Sequence, residues 1–237
     1  MTRPELTVAF NLLKNLLPDY PTQVRIWRGP MRGARVVMNP RNSMRKILGL
    51  YEHEVNAWLE VALHRVNRVI DVGANDGYFT FGCAAAFQRL GKFGEIIAFE
   101  PQEQHITTLR RSINGRAQST IPITLVQSSV GSYIQTGLTT LDAIHWQTGD
   151  PNDRTNTLLK IDVEGAELEV LTGGASWLNA SNCFLIEVHR QAYLDIITQM
   201  FADKSLALEQ VDQRPLKLLG REVRDEQNWW LVSHLNP

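Results

Sequence analysis

The sequence predicts an α/β protein: a doubly wound, mainly parallel seven-stranded sheet behind an N-terminal helix and hairpin cap. Three observations predict it. From Val66 onward, short apolar runs alternate with segments of helical periodicity. The first run leads straight into a glycine-rich turn, Val69-Ile-Asp-Val-Gly-Ala-Asn-Asp-Gly77, and the later runs end on polar residues where such sheets place their ligands.

The elements follow in order. Thr2 with Glu5 resembles a capping box, and Leu6, Phe10, Leu13 and Leu17 recur at helical spacing until Pro18 stops the pattern. Val24 to Met38, around Gly29-Pro-Met-Arg-Gly33, predicts a small hairpin, and a helix follows near Glu54 to Leu63. Residues 1–65 are thus expected to form a cap and residues 66–237 the sheet domain, with no Gly/Ser-rich linker between them. Strands are expected at Val66 to Val72, Glu95 to Phe99, Ile121 to Val130, Leu158 to Val163, Cys183 to Val188, Leu206 to Val211 and Trp229 to Val232. Helices are expected after Gly77, from Glu103, from Ala166 to Leu178 and from Gln191 toward Ala202. Gly173-Gly174 is a helix-ending signal.

The chain has 237 residues and a formal charge of -1, so overall charge favours no particular partner. No apolar run reaches the roughly 18 to 20 residues of a membrane span. The first residues lack the apolar core of a signal peptide, and the expected location is the cytoplasm. Cys83 and Cys183 lie in apolar surroundings and are expected as reduced core thiols, and no Cys-x-x-Cys suggests zinc.

The first turn carries the strongest chemical signal. Asp71, near the carboxyl end of its strand, is placed to accept hydrogen bonds from a ligand. Gly73 and Gly77, with Ala74 between them, remove bulk where a ligand approaches backbone, and Asn75 tolerates positive φ. Glu100, followed by Pro101, ends the second strand, where a carboxylate accepts both hydroxyls of a ribose. Ser129, in the polar turn Val126-Gln-Ser-Ser-Val-Gly131, either edges an adenine ring or simply ends a strand.

The chain lacks the Gly-x-Gly-x-x-Gly of nicotinamide and flavin sites. Its Asp-x-Gly-x-Asn-x-Gly instead resembles the first motif of the Rossmann-like, class I methyltransferases that use S-adenosylmethionine. The resemblance narrows with Thr139-Thr-Leu-Asp142, with Lys160-Ile-Asp-Val-Glu-Gly-Ala-Glu167 and with Leu185-Ile-Glu-Val-His189, which look like the ordered signatures of the FkbM family. Gly49-Leu-Tyr-Glu52 is similar to a further family feature. The resemblance implies methyl transfer from S-adenosylmethionine, often onto a hydroxyl of a natural product or sugar. It implies too that Asp71, Gly73, Asn75, Gly77 and Glu100 lie on the cofactor side.

Asp162, Glu187 and His189 end neighbouring strands about 4.8 Å apart, so their side chains are expected to converge. His189 or Asp162 then serves as general base for an attacking hydroxyl. Alternatively the three hold a divalent cation, or Glu187 only bonds nearby backbone and positions the turn. Lys160 is expected to pair with Asp162. Glu164, Gly165 and Glu167 open a helix, where acids suit the positive end of the dipole, and Glu164 is a candidate for substrate contact.

Residues 146–156 form an exposed loop, either a connector or a lid. The basic segment between Asp19 and Glu52 holds no acid, so Arg28 and Arg32 are candidates to attract an anionic or glycosylated small-molecule acceptor, unless they pair with acids of the main domain. Trp27 is the single aromatic residue between Pro21 and Leu50, which argues against nucleic acid. Two rivals stand beside the methyltransferase: an NAD(P)-dependent oxidoreductase and a non-catalytic cofactor-binding module. Monomer and homodimer both remain open.

Overall fold

The computed structural model of the protein describes residues 16–115, 120–216 and 228–235. The expected hairpin forms from β1 (Thr22–Arg25) and β2 (Arg35–Met38), paired antiparallel. A single turn, α1 (Met44–Ile47), and the helix α2 (Asn56–Arg65) complete the N-terminal part. The helix expected over Leu6 to Leu17 falls outside the described residues except for Leu16 and Leu17, which are not helical.

The remaining elements run β3 (Arg68–Val72), α3 (Tyr78–Arg89), β4 (Glu95–Phe99), α4 (Glu103–Asn114), β5 (Ile123–Val126), β6 (Ser129–Val130) and β7 (Leu138–Thr139), then β8 (Thr157–Ile161), α5 (Glu167–Thr172), β9 (Cys183–Val188), α6 (Gln191–Ala202), β10 (Leu208–Gln210) and β11 (Trp229–Ser233). Seven strands form one sheet in the order β10-β11-β9-β8-β3-β4-β5. β11 is antiparallel to both neighbours, and β3, β4, β5, β8 and β9 are parallel. The order turns back on itself at β3, whose two neighbours are β4 and β8, and crevices at such a reversal open at the carboxyl ends of the strands.

Two expected elements are shorter than their sequence signals. The strand expected to Val130 stops at Val126, and Ser129 instead starts a separate two-stranded ribbon with Leu138 and Thr139. The helix expected to Leu178 stops at Thr172, and at the next position, Gly173, a Cβ would lie 2.0 Å from the Gly131 carbonyl oxygen. The chain passes too close to the β6 segment there for a side chain.

Alternation along the buried strands divides the core between the two faces of the sheet. Val69, Ile96 and Leu158 face a cluster that holds Ile26, Met31 and Val36 of the hairpin with Leu59, Phe81 and Phe87 of the helices. Ile70, Ile97 and Leu159 face a second cluster with Val170, Trp177, Ile197 and Phe201. Cys83 and Cys183 are buried and free. No helix among the described residues is long and apolar enough to cross a membrane.

Residues 146–156 are a connector and not a lid. They are fastened at the amino ends of the strands, opposite the carboxyl ends. The fully buried Glu95 carboxylate accepts the Gln147 N–H at 2.9 Å, the Thr148 N–H at 3.1 Å and the Thr148 hydroxyl at 2.7 Å. Arg68 pairs with Asp153 at 2.6 Å and lies over the Trp146 ring, which packs edge-on against Trp177.

Candidate active site

A cavity of about 730 Å³ opens at the carboxyl ends of β3, β4, β8 and β9, within the size range of small-molecule sites. Its floor is the first turn. Gly73, Asn75 and Gly77 have φ of 82°, 48° and 85°, so the left-handed backbone expected of Asn75 is present. Asp76 accepts the Tyr78 N–H at 3.1 Å at the start of α3 and pairs with Lys46 at 2.6 Å, tying the N-terminal part to the turn.

The glycines make room for protein, not for a ligand. A Cβ at Gly73 would lie 1.9 Å from the Asp162 carbonyl oxygen, and one at Gly77 would lie 2.5 Å from Leu109 and Phe81. Asp71, Ala74 and Gly77 do not line the cavity. Asp71 lies opposite Lys160 in the β3–β8 register, fully buried, and accepts the Thr80 hydroxyl. Asp71 thus supports the turn from beneath. Burial pushes its carboxyl above the usual carboxylate range, against the pull of Lys160 and Thr80.

Lys160 joins the turn to the next strand end. Its Nζ donates to the Gly73 carbonyl at 2.8 Å and lies 3.1 Å from Asp162 and 3.4 Å from Asp71. Burial alone would lower its pKa, but Asp162 and Asp71 outweigh burial and hold the ammonium well above its ordinary value. The expected pairing with Asp162 is therefore present, and Asp71 is a second partner.

Glu100, Pro101 and Ser129 line the cavity as expected, together with Ser128 and Val130. One oxygen of Glu100 accepts the Asn75 N–H at 2.8 Å and the other the Gln102 N–H at 2.9 Å, which fixes the carboxylate in place. Oε2 keeps a lone pair for a further donor, while His105 Nδ1 lies 3.4 Å from Oε1.

Asp162, Glu187 and His189 converge on the cavity wall, with one ligand atom from each all within 4.8 Å of one another. Glu187 accepts from the Asn228 side chain, a residue distant in sequence. Burial would raise Asp162, but Lys160 and then His189 leave it below the carboxylate range. His189 Nε2 is 3.8 Å from Asp162, and its Nδ1 is 2.8 Å from Glu167. Burial would lower the imidazole, yet its bond to Glu167 and the charges of Glu187 and Asp162 raise it above its ordinary value.

Glu167 is the residue that sequence reasoning assigned to the helix dipole alone. The turn before it is left-handed at Glu164 (φ 49°) and Gly165 (φ 97°), which leaves Glu164 exposed on the cavity rim and folds Glu167 inward to full burial. The signal was an acid two positions after a Glu-Gly pair, at the start of the helix that follows the strand beside that of His189.

The basic segment contributes differently than expected. Neither Arg28 nor Arg32 lines the cavity, and Arg32 pairs with Glu60 at 3.1 Å. Lys46 reaches the wall instead, with Asn42, Ser43 and Tyr51, and lies 4.7 Å from the centre of the Tyr51 ring. Gly49 permits this segment to lie close, since a Cβ there would be 2.2 Å from the Arg28 carbonyl oxygen.

The family model of the methyltransferase FkbM domain matches residues 105–207. Among solved structures the chain is similar to methyltransferase FkbM from Methylobacillus flagellatus KT, at 15% identity and a TM-score of 0.54, over 97% of this chain and 59% of that one. It is also similar to the yhhF protein of Escherichia coli, at 12% identity and a TM-score of 0.51, over 90% of this chain and 98% of that one. The chain therefore spans about three fifths of the length of the Methylobacillus protein. No curated protein matches it in sequence. At such identities the structural likeness bears on the fold, and the matched domain bears on the family. The sheet is that of the class I methyltransferases, and over residues 105–207 the chain is similar to the FkbM methyltransferase domain.

Proposed function

We propose that the chain transfers the methyl group of S-adenosylmethionine to a hydroxyl of a small natural product or sugar. One observation carries the reading: His189, Asp162 and the backbone-anchored Glu100 all face a single cavity at the sheet reversal. When bound there, S-adenosylmethionine supplies an electrophilic methyl group. The residues fit such a molecule. Glu100 is 4% exposed yet faces the cavity, and its remaining acceptor capacity suits a ribose hydroxyl. Ser128 and Ser129 offer a polar edge for a base, and the backbone at Gly73 and Asn75 lies open to the donor's amino-acid end.

His189 takes the proton of the acceptor hydroxyl on Nε2, and the Asp162 carboxylate steadies the imidazolium that results. Asn42, Ser43, Lys46 and Tyr51 form a polar wall with one aromatic ring, which suits a hydroxylated or anionic acceptor. The two buried free cysteines fit a reducing compartment, and we place the enzyme in the cytoplasm.

The test is titration with S-adenosylhomocysteine by calorimetry, followed by a panel of sugars, phenols and hydroxy acids assayed for its formation from S-adenosylmethionine. Absence of binding would sink the reading. Binding without turnover on any acceptor favours a non-catalytic module.

The close approach of the Asp162, Glu187 and His189 ligand atoms supports a second reading, a divalent cation that lowers the hydroxyl's pKa. Lys160, 3.1 Å from Asp162, and Asn228, bonded to Glu187, compete with it. Turnover should accordingly survive dialysis against EDTA, and a loss restored by magnesium would favour the cation.

A further inference from the structure

We infer that Glu167 is a positioning residue that keeps the proton of neutral His189 on Nδ1 and so leaves Nε2 bare toward the cavity. This rests on the reading of His189 as proton acceptor, but it is tested separately from it.

The argument is one of donors and acceptors. Glu167 Oε1 accepts the Gly165 N–H at 2.8 Å and lies 2.8 Å from His189 Nδ1. An ionised carboxylate only accepts, so the imidazole nitrogen facing it has to carry hydrogen. The opposite tautomer would set two lone pairs against each other beside a fully buried carboxylate. Oε2 of Glu167 is buried without a partner, so the hydrogen bonding of this side chain is spent on Gly165 and His189 alone. The left-handed turn at Glu164 and Gly165 aims the Gly165 N–H back at Oε1, which fixes the carboxylate independently of the ring. Nε2, held on the far side of the ring, faces the cavity, with Asp162 at 3.8 Å beyond hydrogen-bond reach. Support of this kind, in which a buried carboxylate orients an imidazole from behind, sets which nitrogen can accept a proton.

Nitrogen-15 imidazole spectra of the uniformly labelled protein, recorded on the alkaline side of the His189 titration, read the tautomer directly. Expected is a protonated Nδ1 and a bare Nε2, favoured by about tenfold or more. Glu167→Gln retains an oxygen that can accept from both donors and should keep that tautomer. Glu167→Leu should shift the excess toward protonated Nε2. A wild-type His189 with its proton on Nε2 overturns the inference, and so does an unchanged tautomer in Glu167→Leu. If Glu167→Leu fails to fold, the wild-type spectrum decides. His189→Ala that still turns over on the acceptor panel would remove the proton-acceptor reading while leaving the tautomer assignment intact.

Discussion

Replacing Lys160 with Met removes the single ammonium that faces Asp71, Asp162 and the Gly73 carbonyl. Asp162 can turn to water, since its side chain is 28% exposed. Asp71 cannot, because it is fully buried, and Thr80 is left as its one hydrogen-bond donor. Its least costly course is to stay protonated. Unfolded, an aspartate titrates near 3.9, so keeping it neutral at pH 7 costs about three pH units at about 1.4 kcal/mol each, an upper bound of about 4 kcal/mol for the mutation. That figure matches the roughly 3–5 kcal/mol lost when one partner of a buried pair is removed. The sign follows from burial, which already raises the Asp71 carboxyl. A group favoured neutral in the folded state loses stability as pH climbs above its unfolded pKa. The penalty for Lys160→Met should therefore be largest at pH 7 to 8 and shrink to about 1.5 kcal/mol at pH 5. Urea unfolding followed by circular dichroism across that range measures it. A loss below about 1 kcal/mol at pH 7, or one that does not change with pH, refutes the reasoning.

Gly73→Ala should cost at least about 3 kcal/mol, because φ is 82° and the new Cβ meets a backbone oxygen that cannot rotate away; a urea midpoint near wild type contradicts the close approach. Turnover should rise with pH through a pKa above the ordinary histidine value, since the base form of His189 exists only above its raised pKa, and His189→Ala should lower kcat by about 10²- to 10⁴-fold. A profile flat between pH 6 and 8 speaks against His189. Glu95→Ala strands three donors at the amino ends of the strands and should destabilise by about 3 kcal/mol or more while S-adenosylhomocysteine affinity stays within about threefold; a large affinity loss would mean that the two ends of the sheet are coupled.

Much of the scaffold was legible because its signals are local. Glu95–Phe99, Cys183–Val188 and Gln191–Ala202 match their apolar periodicity, and the pairing of Lys160 with Asp162 follows from their two-residue spacing. What the motif Asp71 to Gly77 could not reveal is the owner of the space that its glycines leave. Room for a ligand and room for a neighbouring strand look alike in one dimension, and the atom that fills the space at Gly73 belongs to Asp162. Glu167 was hidden for a similar reason. Its partner is 22 positions away, and only the left-handed turn at Glu164 and Gly165 brings the carboxylate beneath the ring. Arg28 and Arg32 misled because a run of like charge reports a field and not a direction, and it was Lys46, four residues beyond Asn42, that met the cavity.

The hairpin and the segment after it do two things at once. Ile26, Met31 and Val36 share a core with Phe81 and Phe87, while Asn42, Ser43 and Tyr51 form a wall of the cavity only a few residues later. Exchanging this region wholesale for that of a relative would replace one wall of the cavity and tear the packing beneath it in one stroke. The cavity is thus most readily reshaped through single changes at Asn42 and Ser43, which line it and take no part in the apolar core. In this chain selectivity can drift by point substitution where transplantation would unfold it.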